Sequence, residues 1–289
     1  MPQSVAELLD LLELEEIEVG LYRGNQPKTM LQRVFGGQVL AQALMASSET
    51  VPVERQPHSM HAYFIRPGRI DLPIVFGVEN LRDGGSFSSR RVVARQGGSV
   101  IFFAATSFHR PEDGFEHQDV MPADVPPPED CPILSEVMAT ATGRPSSIWE
   151  SEWGALEVRY IGDSRPPDSM LLDPAHPALS QVWIRVAEEL PNDPRLHRSA
   201  LAYGSDLTLL SASTTPHGVF LGYNVQGASL DHVMWFHRPF RADRWLLYDQ
   251  VSPSASSGLG LSTGRLFQDG QLVCTVAQEG LIRPLRPRG

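Results

Sequence analysis

Asp206 stands in the stretch Leu201-Ala202-Tyr203-Gly204-Ser205-Asp206-Leu207-Thr208-Leu209-Leu210, a carboxylate among apolar and small residues. Burying an ionised carboxylate without partners is costly, so this one is exposed, paired or functional. It could take a proton from water as a general base, or merely cap and pair locally; both readings stand at this level. The segment from Gln226 to Pro239 adds Ser229, Asp231, His232 and His237 to an otherwise core-like strand. Neighbouring strand residues point to opposite faces, so Asp231 and His232 cannot converge on a metal, and Ser229 is expected to share a face with Asp231 rather than with His232. No strained strand-to-helix serine elbow is read in the chain, which makes Ser229 a hydrogen-bonding hydroxyl rather than a nucleophile. Gln278, near the end of a strand from Leu272 to Gly280, cannot titrate. Any catalytic task it has is to orient a water or a carbonyl. His58 and His237 read as satisfied structural histidines.

Other chemistries find little support. Gly258 to Gly264 lacks dinucleotide spacing and opens no helix, so a Rossmann site is rejected. Cys131 and Cys274 are too few and too distant for a zinc site, an iron-sulfur site or a disulfide framework, which makes a reducing compartment the default. The formal charge of −10, from 34 acidic against 24 basic side chains, disfavours nucleic acid and anionic membrane surfaces.

Elements that could position these residues follow from a weak internal repeat. Phe64-Ile65-Arg66-Pro67 matches Phe236-His237-Arg238-Pro239 at an offset of 172, as Gly98 before Val100-Ile101-Phe102 matches Gly270 before Leu272-Val273-Cys274. At an offset of 168, Gly36-Gly37-Gln38-Val39 aligns with Gly204-Ser205-Asp206-Leu207, and Ser86 to Ser89 with Ser254 to Ser257. On that alignment one unit carries Asp206 where the other has neutral Gln38, which puts a single active centre in the second half. The first unit reads as a helix over 36–47, apolar on nearly every side and therefore buried, then strands near 58–66, 72–82, 86–96 and 99–109. The second reads as a helix near 195–212 and strands near 217–225, 228–239, 244–254, 256–268 and 271–283. A buried helix followed by an antiparallel meander is an α+β architecture, the sheet covering the helix.

Seven prolines between Pro111 and Pro145 exclude a continuous helix or central strand there. The chain is thus expected to comprise a unit 1–109, a proline-rich connector 110–155 and a unit 156–289 that carries the site. Ser4 and Glu7 form a capping box before an amphipathic helix whose acidic residues make it neither a signal peptide nor a membrane span. The terminal Arg-Pro-Arg-Gly is not a peroxisomal tripeptide, and the cytoplasm is the expected location.

The chain resembles the acyl-CoA thioesterase II (TesB-type) family over nearly its whole length. The resemblance rests on Val34-Phe35-Gly36-Gly37-Gln38-Val39, on His58 to Gly68, on Leu81-Arg82-Asp83-Gly84 with Ser86-Phe87-Ser88, on Tyr203-Gly204-Ser205-Asp206-Leu207, on Leu230-Asp231-His232 with Met234 to Phe240, and on Gln278-Glu279-Gly280. It implies a double hotdog, two antiparallel sheets each wrapped on a buried helix and fused in one chain, which with no metal and no cofactor hydrolyses acyl-CoA to free acid and CoA. The family's Asp, Thr and Gln map onto Asp206, Ser229 and Gln278. Ser at 229 keeps the hydroxyl but loses the β-branch that stiffens Thr. On this reading Asp206 accepts a proton from a water held by Ser229 and Gln278, while backbone N–H groups near a helix N-terminus meet the oxyanion. Direct attack by the carboxylate to form an anhydride is the variant. A hotdog enoyl-CoA hydratase or dehydratase and a non-catalytic acyl-CoA-binding module are the alternatives. A homo-oligomer, dimer or tetramer, is expected from the resemblance and from unpaired edge strands, and an arginine surface must offset the net charge for polyanionic CoA to bind.

Overall fold

The structure, a computed structural model, describes residues 1–285 apart from the side chain of Ile148; the terminal tetrapeptide lies outside the described residues. Helix α1 (Val5–Leu12) opens on the Ser4 cap and buries Val5, Leu8, Leu11 and Leu12. Strands β1 (Glu15–Glu18) and β2 (Leu21–Gly24) lead to helix α2 (Gly36–Ser48), in which every residue from Gly37 to Ser48 is buried. A meander follows: β3 (Gln56–Phe64), β4 (Ile74–Asp83), β5 (Phe87–Gln96) and β6 (Ser99–His109).

The proline-rich segment is less loose than its composition suggests. It holds two short helices, α3 (Leu134–Thr142) and α4 (Ser147–Trp153). Buried Glu152 accepts hydrogen bonds from Thr29 Oγ1 (2.5 Å) and from the Met30 N–H (2.7 Å), which ties α4 to the loop before α2.

Strands β7 (Leu156–Asp163) and β8 (Leu179–Val186) precede helix α5 (Pro194–Ser205) and a 3₁₀ helix over Leu209–His217. The continuous helix expected over 195–212 is therefore broken, with Asp206 at the C-cap of α5. Tyr248 Oη donates to the Ser205 carbonyl (3.0 Å), and Leu207 N–H closes a tighter turn onto the Gly204 carbonyl. The strand expected over 217–225 is mostly turn, because Gly218 and Gly222 adopt φ of +65° and +73°. Then come β9 (Val225–Ser229), β10 (Asp231–Phe236), β11 (Leu246–Ser256), β12 (Leu259–Gln268) and β13 (Gln271–Pro284).

Instead of two separate sheets there is one, in the order β1-β2-β4-β5-β6-β3-β10-β13-β12-β11-β8-β7, with β9 also on β13. The join is the antiparallel pair β3 and β10, with Met60 opposite Met234. Strands β4, β5 and β6 begin at 74, 87 and 99, and β11, β12 and β13 at 246, 259 and 271, each pair 172 apart. Only the matches at 172 thus correspond in space. Gly36 opens α2 whereas Gly204 closes α5, so the 168 alignment of Gln38 with Asp206 fails.

Helices α2 and α5 pack with opposite ends together. The start of α2 meets the end of α5 at Gly37 and Tyr203, and Arg195 pairs with Glu49 (3.1 Å) at the other end. A β-carbon on Gly37 would stand 2.3 Å from the Tyr203 carbonyl oxygen, so glycine is what lets the helix start come this close. Among the described residues no helix is long and apolar enough to cross a membrane, and no group of three or more His, Cys, Asp or Glu is placed to hold a metal. Both cysteines are buried and unpaired.

Candidate active site

Asp206, Ser229 and Gln278 meet. Ser229 Oγ donates to Asp206 Oδ1 (3.2 Å), and Gln278 Nε2 lies 2.5 Å from that oxygen and 2.8 Å from Ser229 Oγ. The end of α5 supplies the carboxylate, β9 the hydroxyl and β13 the amide. Gln278 points inward because β13 alternates, with Val276 and Gly280 also buried. Its Oε1 is buried and finds no hydrogen-bond partner in the protein, which leaves one acceptor of the amide available beside the carboxylate.

The placement of Ser229 depends on a break in the strand. Ser229 pairs with Gly280 in β13, whereas Val233 pairs with Ala277, so four steps on one strand span three on the other. This bulge at Leu230 reverses the alternation. Ser229 and His232 therefore both reach Asp206, while Asp231 turns away and accepts from the Glu279 N–H. The expected common face for Ser229 and Asp231 is corrected.

Burial pushes the Asp206 carboxyl up to about 6; the hydrogen bonds from Gln278 and Ser229, the Gly37 N–H and the charge of Arg33 pull the other way without cancelling it. A carboxylate with that affinity for protons is a better base near neutral pH than an ordinary one. The start of α2 closes the site from the other side: a β-carbon on Gly36 would stand 2.5 Å from Asp206 Oδ2. First-turn N–H groups of a helix lack intrahelical partners and carry the positive end of the dipole, so this end of α2 favours negative charge at the site.

The other candidates fall outside. His58 Nε2 bonds Ser107 Oγ (2.9 Å) and His237 Nε2 bonds Thr275 Oγ1 (2.8 Å), both in structural roles. Gly260-Leu261-Ser262-Thr263-Gly264 has the letters of a serine-hydrolase elbow, but it lies wholly inside β12 with Ser262 buried. It forms no strand-to-helix turn, so Ser262 lacks the exposed nucleophile geometry. A cavity of about 550 Å³ opens among α3, β7, β8 and the 3₁₀ helix. It is lined by Leu207 but by none of the three site residues. Sequence reasoning missed Arg33, the Gly36-Gly37 approach and His232. The paired glycines were the one visible signal.

A carboxylate, a hydroxyl and an amide converging at a helix N-terminus inside an α+β fold form a set of groups suited to activating water. The chain's relatives agree with that class. A family model described as acyl-CoA thioesterase matches residues 174–281, and another, described as the acyl-CoA thioesterase N-terminal domain, matches residues 25–109. Acyl-CoA thioesterase 2 of Haemophilus influenzae is 38% identical over 288 residues, which is 98% of this chain and 99% of that protein. The crystal structure of the acyl-CoA thioesterase II TesB2 from Mycobacterium marinum is 43% identical, covers 98% of this chain and 99% of its own, and superposes with a TM-score of 0.81. A hot dog fold protein from Alicyclobacillus acidocaldarius, 22% identical with a TM-score of 0.75 over 97% and 99% of the two chains, shares the fold. The chain belongs to the acyl-CoA thioesterase family, and its activity is hydrolysis of the acyl-CoA thioester.

Proposed function

We propose that Asp206 is the general base of this hydrolysis and that Ser229 and Gln278 position the attacking water. The observation that carries this is the contact of all three side chains around one buried carboxylate oxygen. Water oxygen bonds to the thioester carbon as Asp206 takes a proton, and the resulting oxyanion faces the N–H groups at the start of α2. Collapse breaks the carbon–sulfur bond, and the CoA thiolate leaves with the proton that Asp206 held. Ser229 supplies the hydroxyl that the family ordinarily takes from Thr.

A second reading rests on the proximity of His232 to Asp206, since hydratases of this fold use an Asp and a His together. His232, however, has Nε2 bonded to Ser205 Oγ (2.9 Å) and Nδ1 facing Asp206 (3.9 Å), so neither ring nitrogen is free to take a proton from substrate. Thiol release from a saturated acyl-CoA is the test. Wild-type turnover and its loss in Asp206→Asn support the assignment, whereas unchanged turnover in that variant refutes it, and loss of enoyl-CoA absorbance without thiol release would favour the hydratase. Tight binding without turnover would mark a non-catalytic module.

The two sets of strands spaced 172 residues apart support a double hotdog with units 1–109 and 156–289 joined by 110–155. We also retain a homo-oligomer, dimer or tetramer, and a cytoplasmic location. Edge pairing is a poor route to the oligomer, because β1 carries Glu15, Glu16 and Glu18 and β7 is bridged by Ile133. The exposed stacked pair Tyr63 and Phe103 on the outer face of the sheet is a better one, and light scattering measures the copy number.

A further inference from the structure

His232, absent from the scheme above, is fully buried on β10 with its Nδ1 3.9 Å from Asp206 Oδ1. Its Nε2 lies 2.9 Å from Ser205 Oγ, whose single proton also reaches the Ala202 carbonyl (3.0 Å) and Met234 Sδ (3.8 Å). Spent on the carbonyl, that proton leaves the hydroxyl to accept from Nε2 and leaves Nδ1 a bare lone pair; Nδ1 is buried and finds no hydrogen-bond partner in the protein. Two acceptors that face each other are reconciled by a proton held on one of them.

We infer that His232 is a positioning residue that aims an unprotonated Nδ1 at Asp206, so that the proton taken from the attacking water is retained between the carboxyl and the imidazole until the thiolate leaves. The inference rests on Asp206 being the base. The 3.9 Å separation exceeds a hydrogen bond by about 1 Å, which suits a contact that closes when the carboxyl becomes a donor. Balance is simple: the proton leaves water, resides on Asp206 Oδ1 facing Nδ1, and departs on the CoA sulfur. His232 also ties β10 to Ser205, the residue before Asp206, and so fixes the end of α5. Burial holds the imidazole down to about 3, which keeps it neutral while Asp206 titrates. The other titratable groups around the pair are Arg33 from the loop before α2, whose charge acts on Asp206, and Tyr248 from β11, which donates to the Ser205 carbonyl.

The test is ¹⁵N NMR of histidine-labelled protein, with the His232 signals assigned by their loss in His232→Gln. The expected spectrum is a neutral imidazole protonated at Nε2, whose Nδ1 shift moves with pH as Asp206 titrates and stops moving in Asp206→Asn. An imidazole protonated at Nδ1, or an Nδ1 shift that ignores Asp206, overturns the inference while leaving Asp206 as the base. His232→Gln keeps a donor toward Ser205 and removes the acceptor beside Asp206. If it folds, its kcat is expected to fall about tenfold, and the acidic limb of kcat/KM to move about one pH unit lower. A wild-type pH profile in the folded variant also overturns the inference.

Discussion

Gln278 Nε2 stands 2.5 Å from Asp206 Oδ1, a contact between residues 72 positions apart. Donation from Nε2 makes the amide's orientation one-sided: Nε2 faces the carboxylate and Ser229, and Oε1 is left over. Replacing Gln278 with Glu puts a second carboxylate against the first, which raises the affinity of the pair for a proton. Turnover at pH 7 is expected to drop by about 100-fold, with the acidic limb of the rate profile moved upward. Gln278→Ala is expected to lower kcat without that displacement, and steady-state kinetics across pH separates the two.

With Asp206 proposed as the base, activity and stability pull against each other at this residue. Its carboxyl binds a proton more tightly folded, at about 6, than unfolded, at 3.8. Burial therefore costs nothing below about pH 4, and its penalty grows as pH rises through that window to a full value on the order of 3 kcal/mol above pH 6. Asp206→Asn should lose about 1,000-fold in kcat, yet be more stable than wild type by about 1–3 kcal/mol at pH 7. Denaturant midpoints at pH 7 and pH 4 check this: the gain is expected to vanish at the lower pH. A variant destabilised at both would show that the carboxylate is held by favourable pairing instead.

Ser229 contributes a hydroxyl and little packing. Ser229→Thr keeps the hydroxyl and is expected to leave kcat within about threefold, because the donor persists and its rotamer stiffens. Ser229→Ala removes a bond to a buried carboxylate and should cost about tenfold or more. Equal activity in all three forms would remove Ser229 from the site.

The two glycines at the start of α2 separate catalysis from folding. A methyl on Gly37 meets the Tyr203 backbone, which cannot yield without separating α2 from α5. Gly37→Ala is therefore expected to destabilise the fold by about 1–3 kcal/mol. A methyl on Gly36 meets the Asp206 carboxylate, so Gly36→Ala should depress kcat well beyond its effect on the unfolding midpoint.

Strand positions were legible in the sequence because alternation and turn residues are local: β5 and β12 begin within a few residues of their expected starts. The site was legible in part. Asp206 declared itself as a carboxylate among apolar neighbours, but Ser229 and Gln278 acquired roles only through the family resemblance. His232 was misplaced because a period of two predicts faces only along an unbroken strand, and the extra residue at Leu230 appears only once β9 and β10 are registered on β13. The repeat was half legible for a related reason. Strands keep their spacing of 172, whereas the resemblance of Gly36-Gly37 to Gly204-Ser205 equates opposite ends of two helices.

Attack by water activated at Asp206 is tested most directly by a single turnover of excess enzyme on acyl-CoA in ¹⁸O-water, followed by mass spectrometry of the acid and of the peptide that contains Asp206. The expected result is one ¹⁸O in the released acid and none in the peptide; ¹⁸O in Asp206 would contradict it and establish an anhydride intermediate.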